Sequence, residues 1–117
     1  MRRMSFFLTK RQFLDGSKDV TRRLGQWGIQ PEEHFLGIEK GQGLKKGEKQ
    51  VVLGECVCIS ARGERLDAIT TDDVRREGFP EMTPTEFVEF FCKANRAKGC
   101  EPSTIVNRIE FKKVSAS

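Results

Sequence analysis

A single histidine, His34, is all the imidazole this chain contains, so a site built on two imidazoles working as acid and base is excluded. The four cysteines do not point to a metal centre in its place. Cys56 and Cys58 have one residue between them, which puts both side chains on one face of a strand. Zinc sites instead show pairs separated by about two to four residues, usually with histidines nearby. Reduced thiols are expected, with no metal and no organic cofactor, and His34 is expected to begin a strand rather than to catalyse. Long apolar runs are also missing: none approaches the ~18–20 residues needed to cross a bilayer. The segment from Met1 to Lys10 is charged at its start like a signal peptide, but its apolar run breaks early and no small-residue cleavage site follows. The expectation is a cytoplasmic protein with no membrane partner. Three glycines punctuate Lys40–Gln50, yet no Gly-Lys-Ser/Thr opens a helix after them, so this is a flexible basic hairpin tip and not a phosphate loop.

What remains is a chain of 117 residues, 37% hydrophobic and 32% charged, the usual size for one domain over residues 1–117. Its net charge of +4 is unevenly spread. Residues 1–23 carry +5, residues 24–53 balance, residues 54–91 carry −5, and residues 92–117 return to +4. If the two ends lie together, the fold has a basic side and an acidic side. A basic side suits phosphate-bearing partners, although lysines scattered over a solvated surface give the same totals.

Ser5–Leu8 reads as a first short strand, and Thr9 as the cap of a helix over Lys10–Leu14 that Gly16 ends in the left-handed conformation. Strands are expected to include Val20–Leu24, His34–Glu39 and Val51–Ser60, with Arg62–Arg65 turning the chain. Thr70 and Asp73 resemble a capping box for a first central helix, stopped by Gly78-Phe79-Pro80. Thr83, Pro84 and Glu86 supply cap, N1 proline and N3 glutamate for a second. The phenylalanines of that second helix, Phe87, Phe90 and Phe91, read as core packing. Thr104–Val114 is the last strand. About five strands, a short N-terminal helix and two central helices, with no β-α-β alternation, make an α+β class, a small barrel or roll.

Chemistry is most legible in Gly16-Ser17-Lys18-Asp19-Val20-Thr21-Arg22-Arg23. Lys18 and Thr21 are three apart, which in a regular strand puts them on opposite faces, but a turn or bulge after Gly16 lets them converge. A lysine amine beside a threonine hydroxyl is a minimal nucleophile pair, provided burial or nearby positive charge depresses the amine from its usual ~10.4. Arg23 supplies such charge, or holds a phosphate or carbonyl oxygen. The plain alternative is a solvated basic strand.

Gly16, Lys18, Thr21 and Arg23 resemble the G-x-K-x-x-T-x-R signature of ASCH domains, whose fold is a PUA-like barrel. The likeness extends to Ser5–Leu8 as first strand, to Ile69–Pro80 as helical insert and to Arg108–Phe111 as last strand. Among such proteins the small bacterial N4-acetylcytidine amidohydrolases are similar in size and strand order. That resemblance implies catalysis by a lysine, a threonine three residues later and a glutamate near the end of the first central helix, here Lys18, Thr21 and Glu77. The residues themselves lend Glu77 some support, since a carboxylate at a helix C-terminus is unfavourable beside the dipole, and such a placement can mark function. The neighbouring Arg75 and Arg76 could equally be its partners.

The expected activity is therefore removal of the acyl group from an N4-acylated cytosine or cytidine. Thr21 attacks, Lys18 moves the proton and Glu77 assists. Gly16 or Arg23 stabilises the oxyanion, and Trp27 either stacks on the base or packs the rim. Two other readings use the same residues. One is a non-catalytic RNA-binding module in which Arg22, Arg23 and loop lysines grip phosphates. The other is a ribonuclease working without a metal.

Overall fold

Five strands form one sheet around a long central member, β4 (Val52–Arg65), in the computed structural model, which describes residues 1–25, 27–41 and 43–114. The others are β1 (Arg2–Ser5), β2 (Val20–Arg23), β3 (His34–Ile38) and β5 (Ile105–Lys113), in the order β1-β3-β4-β5-β2. β1 runs parallel to β3, and every other neighbouring pair is antiparallel. The sheet curls into a half-barrel, consistent with a PUA-like fold of the α+β class. Three helices accompany it: α1 (Lys10–Asp15), α2 (Thr71–Arg76) and α3 (Pro84–Ala94).

β4 is long because its two halves have different partners. Its apolar first half pairs with β3, and Cys56–Arg65 pairs with β5. Arg62–Arg65 is thus strand and not the expected turn. Ladder bonding to β5 continues as far as Arg65 opposite Ile105, and the chain turns only at the 3-10 segment Leu66–Ala68. A shift of register between Cys58 and Ser60 bends the strand where it changes partners, as bulges do. The first strand also differs from expectation. It spans Arg2–Ser5, because Phe6 turns inward to full burial while Phe7 and Leu8 remain 58% and 64% exposed. Polar Arg2 and Arg3 are tolerated in β1 because it is an edge strand.

Two cores lie on the two sides of this sheet. Inside the curl, Met4, Phe6, Phe13, Phe35, Cys56 and Phe111 pack together. Phe13, from α1, rests on the cross-strand pair Gly37 and Gly54; a Cβ on Gly37 would stand 2.5 Å from its ring. On the other side Leu66, Ile69, Val74, Phe87 and Val106 join α2 and α3 to the sheet. β5 serves both, sending Val106 one way and Ile109 and Phe111 the other. The caps read from the sequence form as expected. Thr70 accepts the Asp73 amide at 3.1 Å, and Thr83 and Glu86 make a complete capping box. Thr9 stands at the start of α1 without a side-chain cap bond.

Candidate active site

Lys18 belongs to the short passage between α1 and β2, where three backbone bonds fix the chain. Its amide donates to the Gln12 carbonyl at 3.1 Å, that of Asp19 donates to Arg76 at 3.0 Å, and Asp19's carbonyl accepts from Phe111 at 3.0 Å. β2 begins only at Val20, so strand alternation does not govern Lys18. Its side chain and that of Thr21 line one cavity, together with Glu77. Both of the other side chains are buried, as is Lys18 itself.

Glu77 is the C-cap residue of α2, a position where an exposed carboxylate is disfavoured. Two buried cations offset that cost. Lys18 Nζ donates to Glu77 Oε1 at 2.6 Å and to the Glu77 carbonyl at 3.0 Å, while Arg22 Nη1 donates to Oε2 at 3.2 Å. The adjacent arginines are engaged elsewhere, Arg75 with Asp72 and Arg76 with Asp19 and Glu110. Burial lowers the Lys18 pKa, the Glu77 carboxylate opposes that shift, and the charges of Arg23 and Arg22 add to it.

Thr21 and Arg23 point the same way along β2. Arg23 Nε donates to Thr21 Oγ1 at 3.0 Å, so the threonine oxygen accepts from a cation while its own hydrogen stays free to be donated. The Arg23 guanidinium lies over the Phe6 ring, 4.8 Å from its centre, and faces no carboxylate within ion-pair distance among the described residues. Burial pulls its pKa down to about 10, with Glu77 opposing, so it stays cationic at neutral pH.

Arg22 points the other way and is not available to grip a phosphate. Its side chain is fully buried and bridges Glu64 and Asp73, each at 2.7 Å, as well as Glu77. Asp73 is held in turn by Arg108 at 2.7 Å, whose hydrogen bonds, with those of Arg22, keep its carboxyl far below the usual carboxylate range. This cluster escapes a reading of the sequence. Its only trace there is the arginine opposite an arginine that strand pairing creates, Arg22 against Arg108, which demands a carboxylate from a third element.

The cavity encloses about 330 Å³, near the lower end of the ~300–1,000 Å³ typical of small-molecule sites. Phe79, Phe90 and Phe91 form an aromatic wall opposite the polar residues. Phe90 and Phe91 are therefore only partly core, in contrast to the packing expected of them, and Phe87 alone of the three is buried. Trp27 packs against the inner core and lines the cavity, with Nε1 donating to the Leu24 carbonyl at 3.1 Å. Gly16 does not reach the cavity. It borders a separate hollow with Arg11 and Asp15, and its amide is spent on the Phe13 carbonyl at 3.4 Å, so it is no oxyanion donor.

His34 begins β3, exposed and bonded to Glu55 at 2.6 Å. The cysteines are free thiols: Cys56 and Cys58 are buried in the inner core, and the Cys92 and Cys100 sulfurs lie 3.5 Å apart.

A curled half-barrel sheet of five strands accompanied by three helices is a fold with solved members. No protein-family model matches the chain, and neither does any curated protein. A crystal structure of an Enterococcus faecalis protein assigned to the DUF984 family superimposes with a TM-score of 0.69 at 11% identity, over 97% of this chain and 76% of that one. An ASCH domain from Lactobacillus crispatus superimposes with a TM-score of 0.63 at 15% identity, over 91% of this chain and 70% of that one. The chain has the ASCH-like fold.

Proposed function

We propose that this cavity is a hydrolytic site that removes the acyl group from an N4-acylated cytosine or cytidine. The observation that supports this most is the Lys18–Glu77 pair, buried in the wall of the cavity that Thr21 also lines, the threonine oxygen accepting a bond from Arg23. Such burial is costly unless the groups are paired, and a paired lysine whose pKa burial lowers, in a cavity that also presents a hydroxyl, is an arrangement suited to proton transfer.

The unprotonated Lys18 amine takes the hydrogen of the Thr21 hydroxyl as its oxygen attacks the acyl carbon. The oxyanion that forms meets the free end of the Arg23 guanidinium, a contribution of roughly 3–4 kcal/mol for one well-placed donor. The C–N bond then breaks, and Lys18 returns the proton to the departing amino group. Water hydrolyses the acyl-threonine by the same route in reverse, Lys18 taking its proton and restoring it to Thr21. Glu77 holds the Lys18 nitrogen throughout and is a positioning residue. The aromatic wall of Phe79, Phe90 and Phe91, with Trp27, provides faces on which a pyrimidine stacks. Nothing in this scheme calls on a metal or an organic cofactor.

The test is direct. Purified protein incubated with N4-acetylcytidine is expected to release cytidine, followed by its ultraviolet spectrum. No release at any pH between 6 and 10 would set the proposal aside in favour of a non-catalytic base-binding cavity.

A further inference from the structure

The reaction cavity does not end at its mouth. A second, wider hollow of about 700 Å³ adjoins it, and the two share Ser5, Phe7, Arg23, Trp27 and Lys98 as a common wall. The second hollow is lined by Arg3, Arg23, Lys40 and Lys98, among other residues. On a chain that is 32% charged and that pairs most of its arginines with acids, a wall with four cations and no carboxylate among its described lining residues is a departure that needs a reason. Two of them, Arg23 and Lys98, have no carboxylate within ion-pair distance among the described residues. Arg3 is bonded to the neutral Gln50, and Lys40 makes one exposed contact with Glu48 at 3.4 Å.

We infer that this second hollow is a phosphate subsite, and that the ligand whose base enters the cavity is a nucleotide. The inference rests on the base-binding reading of the cavity, and it goes further by fixing the charge of the substrate. Arg23 is the hinge of the argument. It borders both hollows, and its Nε is committed to Thr21. With the far end of Arg23 turned to the acyl oxyanion, Arg3, bonded to the neutral Gln50, carries the guanidinium whose fork matches two oxygens of a phosphate. Lys98 and Lys40 supply point charges around the same space, and Arg3, from the edge strand β1, completes the wall. A nucleoside alone leaves this cationic surface uncovered. A phosphate on its sugar covers it. The lysines Lys45, Lys46 and Lys49, farther along the same loop, line neither hollow.

Two measurements test this. In the first, kcat/KM is compared for N4-acetylcytidine and its 5′-monophosphate, in the native protein and in an Arg3→Gln/Lys40→Gln variant. The native protein is expected to prefer the monophosphate at least tenfold, and the variant to lose most of that preference. A ratio is read, so a change in the amount of folded protein does not affect it. A native ratio near one, or a preference that survives the double substitution, overturns the inference. In the second, calorimetry follows binding of cytidine and cytidine 5′-monophosphate to both proteins at low and physiological salt. Should neither acetylated compound be hydrolysed, the hydrolytic reading fails on its own. The phosphate subsite then stands if the monophosphate binds tighter than cytidine through Arg3 and Lys40, and falls if it does not. Tight binding of a short single-stranded RNA without binding of the monophosphate also overturns it, and assigns the hollow to a polynucleotide.

Discussion

Lys18 carries two demands that conflict. It must stay folded into a nearly dry wall, and it must give up its proton to act as a base. Desolvation by burial serves the second demand, and Glu77 serves the first by holding the cation at 2.6 Å. Because only the neutral amine accepts a proton, kcat/KM is expected to rise with pH through the folded-state pKa of Lys18, which lies below the ~10.4 of a free lysine. Glu77→Gln removes the charge that holds this value up. The same limb of the profile should therefore move to lower pH, even though the maximal rate falls as the lysine loses its anchor. A purely structural Glu77 would reduce activity with the inflection in place. Lys18→Ala is expected to lower kcat/KM by roughly 10²–10⁴-fold, the usual range for a proton-transfer group. Thr21→Ser should retain part of the activity and Thr21→Ala none. Full turnover by Thr21→Ala would make lysine-activated water the nucleophile instead. Much of this site was legible in one short stretch, since Lys18, Thr21 and Arg23 all lie between Gly16 and Arg23 and do line the cavity. Arg22 was not legible. Nothing local distinguishes an arginine that reaches solvent from one whose side chain crosses the sheet to Asp73, because the strand pairing that decides it is 86 residues away at Arg108.

At the scale of elements, the site depends on where two short helices end. α1 stops before Lys18 and α2 stops at Glu77, and the two ends touch through Gln12 and Gly78. Gln12 Nε2 donates to the Gly78 carbonyl at 3.2 Å, and a Cβ on Gly78 would come within 2.8 Å of the Gln12 side chain. Gly78 also has φ of +102°, a conformation that other residues adopt at a cost. Gly78→Ala should therefore destabilise the protein by ~1–3 kcal/mol and, by displacing the preceding Glu77, lower kcat as well. Thermal unfolding and turnover measured on the same variant check this; an unchanged Tm would refute the crowding argument. These helix ends were readable because caps and glycines are local signals. Strand limits were less so. Phe6 and Phe7 look alike in sequence, but only Phe6 is taken into the core, and that choice moves β1 three residues towards the start. Likewise Gly63 resembles a turn until β5 pairs across it.

For the whole molecule, the uneven segment charges meet in part inside the fold. β2 and β5 do bring the basic ends side by side, but their cations reach into the acidic middle of the chain. Lys18 and Arg22 take Glu77, Arg22 and Arg108 take Asp73, and Arg22 takes Glu64. Part of the uneven charge is thus spent inside the fold, while Arg3, Arg23, Lys40 and Lys98 line the second hollow with no carboxylate among its described lining residues. This arrangement fixes how stability responds to acid. Asp73 and Glu110 both have folded-state pKa values lowered by their arginine partners, Arg108 and Arg76 respectively. Groups of that kind add stability that is fully present above the unfolded carboxylate pKa of ~4 and is lost as pH falls towards the folded value. Lys18, lowered by burial, acts at the other end of the scale, where stability is gained as pH rises from its folded value towards that of a free lysine. Asp73→Asn removes the anion between two buried guanidinium groups and is expected to cost about 3–5 kcal/mol at neutral pH. Because asparagine has no proton to take up, the variant should also lack Asp73's share of the acid-linked loss. Urea unfolding of both proteins from pH 7 down to pH 2 is then expected to give two curves that start apart and converge as the acid deepens. Curves that stay parallel throughout would show that Asp73 is no more than a helix-cap residue and that the buried cluster is not what ties this fold together.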